Sequence, residues 1–131
     1  MNNPDLQEVI RNSPVVIHPG RYAYLQGKET TIKEHFLICK DDDEITIVTE
    51  EANIGGTDYV KDVKWFKLFE FKVSIPFLAP GFLAKISSAV AENNINILFV
   101  STFSKDYALF KEEDYKNAMT ILQKVGFSFI E

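Results

Sequence analysis

The stretch from Phe69 to Phe110, FEFKVSIPFLAPGFLAKISSAVAENNINILFVSTFSKDYALF, leaves this chain few folds to choose from. Phe69, Phe71, Val73 and Ile75 are apolar, and Glu70, Lys72 and Ser74 between them are polar, which is the period of a strand with one buried face. After the loop signal Pro80-Gly81 the period changes: Phe82, Leu83, Ile86, Ala89 and Val90 recur at helical spacing, while Lys85, Ser88 and Glu92 fall elsewhere. Asn93-Asn94 supplies a left-handed residue to end that helix. Ile95, Ile97 and Phe99 then resume the alternation, on a strand apolar enough on both faces to be expected at the centre of its sheet. A tight turn and a further strand complete the run.

The flanks extend this pattern. Downstream, Glu112, Glu113 and Asp114 place negative charge where a helix dipole favours it; Tyr115, Ala118, Met119, Leu122 and Val125 form an apolar stripe, and Gly126 is the stop. Phe127 to Ile130 reads as a last short strand, so the second half is β-α-β-β-α-β. Upstream, Pro4 to Arg11 reads as a short helix broken by Ser13-Pro14, and Val15 to Ile17 as a brief extended segment ending at the turn His18-Pro19-Gly20. Arg21 to Leu25 is a strand, and Gly27 to Glu34 is at most a turn or two of helix. HFLICK and EITIVTE form a hairpin around the acidic turn Asp41-Asp42-Asp43, and EEANIGGT is loop. Trp65 and Phe66 are adjacent and cannot share a strand face, which puts an internal boundary at Val63 to Phe66. The expected architecture is α+β: two tandem ferredoxin-like modules, residues 1–64 and 65–131, each an antiparallel sheet with helices on one face. In the first module the second helix is reduced to a loop.

Charge and composition narrow the function. The formal charge is −5 with a pI near 5.1, which argues against a phosphate-backbone binder, so no nucleic-acid partner is expected. The single cysteine excludes an internal disulfide, no apolar run has membrane-spanning length, and MNNPDLQEVIRNS lacks the apolar core of a signal peptide. A cytoplasmic protein without a membrane partner is the expectation. Nucleophile elbow, P-loop and dinucleotide glycine patterns are missing, so neither an enzyme nor a cofactor is expected. His35, Leu37 and Cys39 alternate onto one strand face, but two ligands without a third make a poor metal site, and half-buried strand positions are the expected reading. Asp41 to Glu44 lacks the ligand spacing of a calcium loop and reads as a solvated turn. The two arginines, Arg11 and Arg21, are not in a phosphate-cradling loop, which argues against acyl-phosphate hydrolysis.

Three pieces of the second half together resemble an ACT domain, the small ligand-binding module of amino-acid-regulated enzymes. These are IPFLAPGFLAKISSAVAENNINI, with Gly81 opening the helix; FVSTFSKDYALF, with Ser101-Thr102 and Asp106-Tyr107; and AMTILQKVGF. The chain is most similar to small standalone double-ACT proteins related to aspartate kinase regulatory regions and to arginine sensors. It departs from that group at Phe103, Ser104 and Lys105, where Tyr, Asp and Thr are more common. The resemblance implies a non-enzymatic regulatory protein that binds an amino acid, commonly as a homodimer, and acts on a regulated enzyme.

The residues themselves offer such a site. The first N–H groups of the helix after Leu78, Ala79, Pro80, Gly81 and Phe82 lack intrahelical partners and suit a carboxylate. Gly81 permits close approach to the backbone. Ser101 and Thr102 leave the end of the central strand with hydroxyls that suit a carboxylate or an ammonium, and Asp106 suits an α-amino or side-chain cation. The alternative is a protein–protein interaction or dimerisation module whose pocket is vestigial and whose sheet edges bind the partner.

Overall fold

The computed structural model describes residues 5–27, 34–55, 63–73 and 80–130. Helix α1 (Leu6–Arg11) is followed by strands β1 (Val15–Ile17), β2 (Tyr22–Gly27), β3 (Leu37–Lys40) and β4 (Ile45–Glu50). A 3-10 turn at Glu51–Asn53 precedes β5 (Lys64–Phe71). Helix α2 (Phe82–Ala91), strands β6 (Leu98–Ser101) and β7 (Asp106–Lys111), helix α3 (Tyr115–Val125) and strand β8 (Phe129–Ile130) complete the order. The expected helix signals at Lys28 to Lys33, and the Ser74-Ile75 continuation of the central strand, lie outside the described residues. Among the described residues no helix is long and apolar enough to cross a membrane.

Two compact units emerge: Met1–His18 with Leu68–Glu131, and Pro19–Lys67. This differs from the linear division expected between residues 64 and 65, because the opening helix and strand share a core with the second half. Val9, Ile10 and Val15 are buried in the same cluster as Phe69, Phe71 and Phe110. The first unit is therefore discontinuous, and residues 19–67 interrupt it.

Its sheet runs β6-β7-β5-β1-β8. Without β1 this is the ferredoxin-like order for a β-α-β-β-α-β chain. Strand β1 enters between the first and last strands of that set, antiparallel to β5 through Val15↔Phe71 and parallel to β8 through Val15↔Phe129. One face carries Val15, Phe69, Phe71, Ala108 and Phe110 against Phe82, Ile86 and Val90 of α2 and Ala118 and Leu122 of α3. Edge-on ring pairs tie this core together: Phe69 with Phe110 (4.8 Å), Phe71 with Phe127 (5.3 Å) and Phe82 with Phe127 (5.7 Å). The helices end as their residues dictate. Asp5 Oδ1 accepts from the Gln7 N–H at 3.0 Å to start α1, Asn94 turns left-handed (φ 60°) after α2, and Gly126 (φ 125°) closes α3.

Two expectations in this unit need correcting. Leu83 does not join the buried stripe of α2; it is 45% exposed, because the stripe runs Phe82, Ile86, Val90 at four-residue spacing. Strand β6 is not central. It pairs only with β7 among the described strands, and its four residues are half-buried or exposed.

In the second unit the strands run β3-β4-β2-β5, again the ferredoxin-like order 2-3-1-4, with the expected loop after β4 reduced to the 3-10 turn. Its first strand, β2, pairs with β4 over six positions, and residues Lys64 to Phe66 of β5 pair with Tyr22 to Tyr24. Ala23, Leu25 and Ile47 form the core, with Trp65 packed against it and the Arg21 guanidinium 3.8 Å from the Trp65 ring centre. Asp41 Oδ1 accepts from the N–H groups of Asp43 (2.8 Å) and Glu44 (2.9 Å), so the acidic turn is an Asx turn, and those bonds hold its carboxyl below the usual range.

The shared core makes a direct expectation. Ile10 is fully buried, and Ile10→Ala lowers stability by about 2–5 kcal/mol in urea unfolding. A leader segment unattached to the second half would give no loss.

Candidate functional site

Those of the sequence-predicted residues that are described fall at one end of the first unit's sheet. Leu78 and Ala79 lie outside the described residues. Pro80 and Gly81 are exposed, and Gly81 caps α2 with φ 88°. A Cβ at Gly81 would meet Leu6 Cδ2 at 3.5 Å, an ordinary contact, so the glycine serves the left-handed backbone and not a close approach. Phe82 is 4% exposed, with its ring 6.1 Å from that of Phe71; its side chain belongs to the core, leaving its backbone N–H as the only group for a ligand.

Ser101, Thr102 and Asp106 are brought together by the β6–β7 hairpin, where Ser101 and Asp106 are paired residues. Ser101 Oγ donates to Asp106 Oδ1 at 2.7 Å, and the Thr102 N–H and hydroxyl both donate to the Lys105 carbonyl, at 2.8 and 3.2 Å. The hydroxyls are thus already engaged within the hairpin, and Asp106 retains acceptor capacity on a half-buried carboxylate. The turn between the strands carries Phe103, 87% exposed.

The hairpin and the start of α2 converge on the end of β5. Phe82 packs on Phe71, and the adjacent Glu70 receives Lys105 from the hairpin turn, Nζ to Oε2 at 3.3 Å. Glu70 is the residue that strand alternation misplaces. Read as a solvent-facing position, its side chain is only 8% exposed, on the sheet face away from the helices. Its other oxygen accepts from His18 Nε2 at 2.8 Å, and the His18 and Tyr107 rings stand 6.4 Å apart. Leu68 and Leu109, on the same face, are each 1% exposed, so β5 is apolar on both sides and a carboxylate there has to be paired. That two-sided apolarity, visible in KWFKLFEF, was the signal available in the sequence.

Burial pushes the Glu70 carboxyl up, but hydrogen bonds from His18 and Lys105, reinforced by their charges, outweigh it and hold the group below the usual carboxylate range. Burial and the Glu70 charge raise the Tyr107 hydroxyl, with Lys105 opposing.

The other candidates do not assemble. His35 and Cys39 are both exposed and not half-buried, because among the described strands β3 pairs with β4 alone, and no group of three His, Cys, Asp or Glu comes together among the described residues. Arg21 is engaged by Trp65 and by Glu51, its Nε donating to Oε2 at 2.9 Å. A groove of about 360 Å³ runs between the end of α2 and α3, lined by Asn93, Asn94, Asp114, Asn117 and Thr120, and none of the predicted site residues borders it.

Residues 67–124 match the ACT domain family. The chain carries an ACT domain. That segment spans β5 through α3, the part that holds the hairpin, the Gly81 cap and Glu70. No curated protein matches the chain by sequence. Among solved structures it is similar to a protein from Agrobacterium tumefaciens, at 23% identity over 90% of this chain and 92% of that one, with a TM-score of 0.75. A Vibrio cholerae protein described as of unknown function and possibly a transport protein is 16% identical over 92% and 95% of the two chains, TM-score 0.76. A putative C-terminal regulatory domain of aspartate kinase from Porphyromonas gingivalis is 13% identical over 88% and 98%, TM-score 0.58. These likenesses establish an α+β, ACT-type fold.

The depressed Glu70 group gives a signed pH expectation. A carboxyl whose folded value lies below its unfolded one adds stability that is full above the unfolded value, near 4.5, and is lost as pH falls through the folded value. Glu70→Gln therefore shrinks the loss of stability between about pH 7 and about pH 3, measured by urea midpoints. An unchanged acid loss would show that the Glu70 carboxyl is not depressed in the folded protein.

Proposed function

We propose that the protein is a non-enzymatic regulatory protein that binds an amino acid effector at the end of the ACT sheet. The observation that carries this reading is the convergence of the α2 start and the β6–β7 hairpin on Phe71 and Glu70. The unpaired N–H groups after Gly81 suit the effector's carboxylate, and Asp106 suits its ammonium. Ser101 and Thr102 set the hairpin that presents Asp106. The ACT domain in residues 67–124 and the aspartate kinase regulatory domain among the structural neighbours support a regulatory role. The ferredoxin-like strand order of residues 19–67 supports reading that unit as a second, degenerate ACT-like module.

Effector capture acts by biasing an equilibrium between conformations, by no more than its differential affinity for them. Calorimetry of the full chain against the common amino acids gives one binder, and that ligand at a hundred times its Kd raises stability by about 2.7 kcal/mol. Asp106→Ala removes the heat of binding while leaving stability within about 0.5 kcal/mol, since the residue lies on the hairpin outside the core. Unchanged affinity in that variant removes Asp106 from the site.

A second reading rests on β6, whose outer edge has no partner among the described strands. There a second copy or a regulated enzyme would add a strand, as a homodimer or a complex. A flat amino-acid panel together with a concentration-dependent dimer in sedimentation favours this interaction module.

A further inference from the structure

The chain leaves the first unit after His18 and returns to it at Leu68. Both crossings are pinned at one place. The His18 N–H donates to the Leu68 carbonyl at 2.9 Å, and the His18 ring donates to Glu70, two residues beyond the return, at 2.8 Å. On the far side of the same crossings, Lys67 Nζ donates to the Gly20 carbonyl. Glu70 has a second arm. Its other oxygen holds Lys105, and Lys105 is the residue whose carbonyl closes the β6–β7 turn on Thr102.

We propose that Glu70 is a positioning residue that relays the state of the β6–β7 turn to the two crossings between the units. The relay works because one rigid carboxylate serves both contacts. Lys105 is 43% exposed and can follow a new partner, whereas Glu70 is 8% exposed and cannot turn to water when Lys105 departs. Left with His18 alone, the buried carboxylate has lost a charge-assisted bond, and the His18–Leu68–Glu70 tie then rearranges to satisfy it. An effector that carries a second acidic group, beyond the α-carboxylate held at the N–H groups after Gly81 and the ammonium held by Asp106, competes with Glu70 for the lysine through that group. Binding at the turn and loosening at the crossings are then linked, each favouring the other by the same factor. This rests on the effector reading above for the identity of the competitor, but the relay itself is a property of the unliganded chain.

Residue-resolved amide exchange, with no amino acid added, tests it. Lys105→Met speeds exchange of the His18 amide by roughly tenfold to a hundredfold, the size of one lost hydrogen bond to a charged group, while the amides of α3 stay unchanged. Lys105→Arg, which can still reach the carboxylate, restores the wild-type rate. In a Glu70→Gln background, Lys105→Met adds nothing at His18. Faster exchange confined to Thr102 through Asp106, or an even rise across α2 and α3, overturns the relay. A flat calorimetric panel bears on the effector reading alone.

Discussion

Two phenylalanines on one strand hold the first unit together. Phe69 and Phe71 are fully buried, and between them they touch rings from every layer of that unit: Phe110 on β7, Phe129 on β8, Phe82 on α2, Phe99 on β6 and Phe127 after α3. Burial of such rings is worth several kcal/mol each, and their edge-on contacts restrict how the helices can lie on the sheet. The polar features depend on this packing. Because Phe69 and Phe71 face the helices, Glu70 is forced onto the opposite face. Because Phe82 follows Phe71 into the core, α2 starts at the end of β5.

Most of this was legible along the chain. The helical spacing of Phe82, Ile86 and Val90, the left-handed Asn94, the Gly126 stop and the hairpin about Asp41 are local signals, and local geometry realises each of them. What periodicity does not carry is which element a strand meets. Val15 to Ile17 is short and uninformative alone, and its place between β5 and β8 depends on partners far along the chain. For the same reason β6 reads as a central strand from its apolar content and takes an edge among the described strands. Leu83 shows the limit inside a helix, where adjacent apolar residues cannot both face one core.

The candidate site divides along the same line. Ser101, Thr102 and Asp106 are close in sequence, and a hairpin brings them together. Gly81 stands where a left-handed residue is required, though for the backbone's sake. Glu70, His18 and Lys105 are a long-range constellation: His18 and Glu70 are 52 residues apart, and no motif joins them. A carboxylate flanked by phenylalanines reads as a solvent-facing position until both faces of its strand are known to be covered. The departure from the family pattern at Lys105 gained meaning only when its ammonium was found on Glu70.

The discontinuity of the first unit has a consequence for how the chain is made. Helix α1 and strand β1 are synthesised before the rest of their unit, yet Val9, Ile10 and Val15 are buried in a cluster with Phe69, Phe71, Phe110 and other residues that follow Leu68. Residues 19–67 are complete before then and own a separate core of Ala23, Leu25 and Ile47, so they are free to close while the opening segment waits. A prefolded insert whose two ends are drawn together also shortens the loop that β1 must close to reach β5, which lowers the entropic cost of that late pairing. The inserted unit would then act during biosynthesis as a built-in scaffold for the one that encloses it.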